Sequence, residues 1–142
     1  MSLQEFCDRH VVTISGSSNI VDACQLMAQY NIGCMLVQED GKPCGILTDR
    51  DVALKVAGEM KDSRKTKVAE VMTPEPACIS VDKDLHDLIS LMHAKHIRRV
   101  PIVDGANKVL GIVTLDDLIG RLGDEMFEIR KTVLEAPRLV GL

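Results

Sequence analysis

A mixed α+β (α/β) fold made of two copies of one β-α-β-β-α unit is predicted by three observations. Gly45-Ile46-Leu47-Thr48-Asp49-Arg50-Asp51 is echoed by Gly111-Ile112-Val113-Thr114-Leu115-Asp116-Asp117. The echo keeps its spacing: Asp51 and Asp117 stand 66 apart (117 − 51), while Ile14-Ser15 and Ile79-Ser80 stand 65 apart (79 − 14). Ile20-x-Asp22 matches Leu85-x-Asp87 and Ile32 matches Ile97 at the shorter offset, so one extra residue near Asn107 accounts for the change. Third, strand and helix periodicities alternate in the same order in both halves. A fixed offset held over most of a chain marks an internal duplication.

The elements follow from local chemistry. Val11 to Ile14 is a β-branched strand, and Ser15 to Asn19 supplies turn and N-cap residues for a helix from Ile20 to Tyr30. Cys34 to Glu39 and Pro43 to Leu47 are strands joined at Glu39-Asp40-Gly41, and Asp49 to Ala57 is a helix ended by Gly58. In the second half Ala77 to Ser80 is a strand, Asp82 or Asp84 caps a helix from Leu85 to Lys95, and Arg99–Val103 and Val109–Thr114 are strands before a helix that begins near Leu115. Leu85, Leu88, Ile89 and Met92 recur at helical spacing and give that helix a core face. The lead-in repeats too, Leu3 to Cys7 aligning with Val68 to Met72. The expected divisions are a first repeat at 2–58, a solvated linker at 59–67, a second repeat at 68–122 and a helical tail at 123–142. In the tail Met126, Ile129, Val133 and Leu134 form a stripe that packs on the repeats or on a second subunit, and Pro137 stops the helix.

Composition removes several classes of function. A net charge of −4 and aromatics limited to Phe6, Tyr30 and Phe127 argue against nucleic acid binding. No apolar run approaches a membrane span, and the first residues lack the pattern of a signal peptide. Cys7, Cys24, Cys34, Cys44 and Cys78 are odd in number and form no CxxC, which reads as buried thiols in a reducing, cytoplasmic setting. His93-x-x-His96 has no third ligand near it and reads as a solvated pair, so no metal is expected. No nucleophile–base pair and no P-loop stands out, so no enzyme is expected.

The repeated motif carries the chemistry. A buried strand ends at Thr114, whose hydroxyl stands at the start of a helix, where free N–H groups and the helix dipole favour phosphate. Asp117 lies one turn on and suits the two vicinal hydroxyls of a ribose. The same two residues also spell a capping box that merely starts the helix.

Val71-Met72-Thr73-Pro74, His96-Ile97-Arg98-Arg99-Val100-Pro101-Ile102-Val103-Asp104 and the two Gly-to-Asp motifs resemble a tandem pair of cystathionine-β-synthase-type (CBS) domains, a Bateman module, over residues 2–122. The resemblance implies repeats packed through their sheets about a pseudo-twofold axis. It also implies a regulatory energy or metabolite sensor that binds AMP, ADP or ATP, acts as a homodimer of pairs and signals to a separate effector protein. S-adenosylmethionine or NAD sensing, or a scaffold that only dimerises, are the alternatives.

Carried onto this sequence, the resemblance implies one cleft with Thr114 and Asp117 for the ribose, Ser15, Gly16, Ile20, Ile32, Gly33, Cys34 and Ile112 for the base, and Arg99, Arg98 and Arg50 for phosphate. Arginine suits phosphate through its planar fork of donors. The pseudo-symmetric cleft has Thr48, Asp51, Ser80, Val81, Leu85, Ile97 and Ile46. There Asp116 stands in place of Arg50, and Gly33-Cys34 in place of Arg98-Arg99, so it is expected to be the weaker site.

Overall fold

Each half builds its own sheet and helix, but each core is completed by the other half. The computed structural model describes residues 2–135. In chain order these form α1 (Leu3–Phe6), β1 (Thr13–Ile14), α2 (Ile20–Tyr30), β2 (Cys34–Glu39), β3 (Lys42–Thr48), α3 (Asp49–Val52), α4 (Val68–Val71), β4 (Thr73–Pro74), β5 (Ile79–Ser80), α5 (Leu85–Lys95), β6 (Arg99–Val103), β7 (Val109–Thr114) and α6 (Leu115–Glu135). The strands make one sheet in the order β1-β2-β3-β4 and a second in the order β5-β6-β7. In each, a parallel short strand is followed by an antiparallel hairpin.

The lead-in segments cross over. Leu3 and Phe6 of α1 are buried with Ile79, Leu88, Met92 and Val113 of the second repeat. Val68 and Val71 of α4 are buried with Ile20, Met27, Leu47 and Val56 of the first. After α4 the chain pairs as β4 with β3, and after α1 Asp8 pairs with Ile112, with N–H to O distances of 3.0 and 3.1 Å. The crossings explain the glycine that opens each motif. A Cβ on Gly45 would run into the Met72 sulfur, and one on Gly111 into the Cys7 sulfur and, at 2.6 Å, the Asp8 carbonyl oxygen.

Met35 and Val37 face the helices, whereas Leu36, also buried, lies on the opposite face of β2, as Pro101 lies on the far face of β6. The two repeats pack through these sheet faces, which buries Leu36 and Pro101. The hairpin tips also meet: Val109 N–H donates to the Gly41 carbonyl at 2.9 Å, and the Lys108 ammonium donates to the Asp40 carbonyl.

Two helices differ from expectation. Asp49 to Ala57 is α-helical only to Val52, and Ala53–Ala57 forms a π-helical turn, with Gly58 N–H reaching the Ala53 carbonyl at 2.8 Å. The boundary expected at 122/123 falls inside α6, which runs on without a break to Glu135. Gly120 and Gly123 do not end it, since a mid-helix glycine costs only about 1 kcal/mol against alanine. The tail stripe does not pack on the repeats: Met126, Ile129, Val133 and Leu134 are all exposed. The stop expected at Pro137, and the tail beyond residue 135, lie outside the described residues.

Candidate functional site

A cleft of about 350 Å³ opens where the crossing segment, the first repeat and the second repeat meet. Its walls come from Asp8, His10, Val11 and Val12, from Asn31, Ile32, Gly33 and Cys34 after α2, and from Arg99, Ile112 and Thr114. Val11, Val12, Ile32 and Ile112 give it an apolar lining. Arg99 and Thr114 are direct partners in the β6–β7 register, so guanidinium and hydroxyl enter side by side.

Thr114 caps α6: its Oγ1 accepts from Asp117 N–H at 3.0 Å, leaving the hydroxyl proton free to donate. The return bond, from Thr114 N–H to Asp117 Oδ2, is 3.4 Å, long for its kind, and Asp117 is exposed. Arg121, four residues further on, forms no ion pair with Asp117 among the described residues. The carboxylate is thus weakly held, and Asp117, expected at the ribose, is not among the residues that line the cleft. Burial pushes the Cys34 thiol above its ordinary range; the Arg99 guanidinium works against this, and Asp51 and Asp49 reinforce it.

The remaining predicted residues divide. Ile32, Gly33, Cys34, Ile112, Arg99 and Thr114 line the cleft together. Ser15, Gly16 and Ile20 do not. Ser15 Oγ and Gly16 N–H donate to Glu39 Oε1 at 2.7 and 2.8 Å, and Ile20 is fully buried in the first core. Those bonds hold the Glu39 carboxyl below its usual range, the Ser15 hydroxyl contributing most. Arg98 is drawn elsewhere: its Nη2 donates to Asp116 Oδ1 at 2.8 Å, beside a groove lined by Ile89, Met92, His93, His96, Ile97 and Leu115. Arg50 is exposed and lies outside the cleft walls. Asp8, His10, Val11, Val12 and Asn31 were missed by sequence reasoning. The signal was the apolar pair Val11-Val12, assigned to a strand that starts only at Thr13.

The pseudo-symmetric residues are more scattered. Cys34 faces Thr48 in the β2–β3 register, where Arg99 faces Thr114 in the other repeat. Asp51 Oδ2 accepts from Thr48 N–H at 3.0 Å, and its Oδ1 pairs with Lys55 at 3.1 Å. Lys55 also donates to the Val71 carbonyl at 3.1 Å. Val81 lines a separate 140 Å³ cavity with Gln4, Cys7 and Arg9, and Leu85 and Ile97 pack on the second core. Ser80 Oγ accepts from Asp82 N–H at 3.3 Å, and Ile46 sits in β3 between Leu36 and Thr73.

Residues 3–58 and 68–124 each match the CBS domain family. The chain belongs to the CBS-domain family. The CBS domain-containing protein YhcV of Bacillus subtilis is 40% identical over 117 residues, spanning 82% of this chain and 82% of YhcV. The inosine-5'-monophosphate dehydrogenase of Methanocaldococcus jannaschii is 35% identical over 114 residues, or 80% of this chain but 22% of that enzyme. One crystal structure of a CBS domain is 34% identical, with a TM-score of 0.71 over 84% of this chain and 92% of its own. CBSX2 in complex with AMP is 24% identical, with a TM-score of 0.73 over 88% of this chain and 97% of its own, a likeness of fold. No helix among the described residues is long and apolar enough to cross a membrane.

Proposed function

We propose that this CBS pair is a regulatory, non-enzymatic sensor whose Thr114 cleft holds AMP, ADP or ATP. The observation that carries the reading is the pairing of Arg99 with Thr114 in a cleft that Val11, Val12, Ile32 and Ile112 also line. A base would lie against Val11, Val12, Ile32 and Ile112, the ribose hydroxyls would take Asp117 from its weak bond to Thr114 N–H, and Arg99 would meet the phosphate. The fold accommodates AMP in CBSX2, which supports the reading. The module would work as a cytoplasmic homodimer whose geometry shifts on binding and is read by a separate effector. These side chains hold charges and hydroxyls, a binding role.

Calorimetry with AMP, ADP, ATP, adenosine, S-adenosylmethionine and NAD tests it. The phosphate-bearing adenine nucleotides are expected to bind below millimolar and more tightly than adenosine. At 100 times the dissociation constant they would add about 2.7 kcal/mol of stability. Preference for S-adenosylmethionine or NAD would reassign the ligand. No binding by any of them would leave a dimerisation scaffold. ATP turnover lost on Asp117→Asn would make the protein an enzyme.

A further inference from the structure

From residue 123 to residue 135 every position of α6 is exposed, and among the described residues this stretch packs on no other element. Helices of this length are marginal alone in water, and Gly123 weakens this one further. Its apolar residues are ordered. Ile119, Leu122, Met126, Ile129 and Val133 recur at alternating steps of three and four, the a/d pattern of a coiled coil. Of these, Ile119, Met126, Ile129 and Val133 are 57–71% exposed. The seam is about 21 Å long at 1.5 Å per residue.

We infer that the C-terminal half of α6 pairs in parallel, in register, with the same helix of a second copy of this chain. Three features select that occupant and orientation. All five seam positions are apolar, Ile119, Met126 and Val133 at a and Leu122 and Ile129 at d, which suits packing against a like seam on a second copy. Glu125 falls at g and Arg130 five residues on at e, the spacing that joins the two helices of a parallel pair, and it does so twice across the twofold. In an antiparallel pair g faces g and e faces e, and the g positions Leu118, Glu125 and Thr132 offer Glu125 no cation. Gly123, at e, has no heavy atom within 4 Å of where a Cβ would stand, so the backbones can approach closely there. Asp124, Glu128, Lys131 and Glu135 take the outward f and c positions, and the exposed Phe127 and Leu134 take b.

This gives the proposed homodimer a seat and leaves the nucleotide cleft untouched, so the two readings fail separately. The test uses the full chain. Ile129→Cys, mildly oxidised, should give a disulfide joining residue 129 to residue 129 of the second copy, read by peptide mass against the oxidised native chain; Glu128→Cys, facing outward, should give none. Glu125→Arg should weaken the dimer about tenfold by sedimentation, and adding Arg130→Glu should restore it. Circular dichroism confirms that each variant is folded. A dimer with no link at 129, or one indifferent to the Glu125→Arg exchange, overturns the parallel seam while leaving the homodimer intact. A chain that stays monomeric at every concentration overturns both, and nucleotide affinity, measured on the same variants, still stands or falls independently.

Discussion

The two strand-to-helix turns share their sequence pattern and differ in how firmly their acids are held. In the first repeat Asp51 is fully engaged: it caps Thr48 at 3.0 Å and pairs with Lys55 at 3.1 Å, and Lys55 is itself tied to the Val71 carbonyl. In the second, Asp117 keeps only a 3.4 Å contact with Thr114 N–H and is otherwise exposed. Opposite the first turn stands the Cys34 thiol, and opposite the second the Arg99 guanidinium. Duplication thus preserved the frame and divided the work. One turn ties its acid into the fold, and the other, on the proposed reading, keeps an acid, a hydroxyl proton and a cation available to a ligand.

The comparison breaks most sharply at the motif glycines. Gly111→Ala is expected to cost about 2–3 kcal/mol, because its Cβ would meet the Asp8 carbonyl at 2.6 Å as well as the Cys7 side chain. Gly45→Ala should cost less, since its nearest obstacle is the pliable Met72 side chain. Denaturant melts of the two variants compare them directly, and equal losses would deny the asymmetry.

Ligand contacts come next. Arg99→Ala should weaken AMP about 10- to 100-fold, the loss of a charge-assisted contact, while adenosine affinity stays nearly level. Cys34→Arg, which copies Arg99 into the first turn, should create a second, weaker AMP site, visible as a doubled stoichiometry in calorimetry.

The acids separate stability from binding. Asp51→Asn should lower stability by about 1 kcal/mol and leave AMP affinity alone; Asp117→Asn should leave the melting temperature nearly unchanged and weaken AMP about tenfold.

The smallest effect is in pH. Glu39 titrates below its ordinary range because the folded state hydrogen-bonds its charged form, so its contribution is present above the unfolded value and is lost as pH falls through the depressed folded value. The Gly16 amide resonance should move in that acid range, and Glu39→Gln should abolish the movement.

The repeats, the hairpins and the caps were legible in the sequence because they rest on spacing within a few residues. Asn19, Thr48 and Asp84 each cap a helix through a residue three positions on, and the fixed offset exposed the duplication. Half of the cleft, Ile32 to Cys34 with Ile112, Thr114 and Arg99, was legible for the same reason, being strand ends next to turn motifs. Arg98 was misplaced because its partner, Asp116, lies 18 residues away. Ser15 and Gly16 were misplaced because Glu39 reaches them from the far end of β2.

Read alone, then, the chain determined that it is a duplicated α+β unit with two hydroxyl-and-acid turns, since periodicity and capping are short-range properties. Tertiary structure decided that each lead-in completes the other repeat's core, and so brings Asp8, His10, Val11 and Val12 into the cleft. It also decided that Arg99 alone of the three arginines lines it. Both depend on which long-range surfaces bury apolar area best and which charges meet once they have, and no local spacing encodes either.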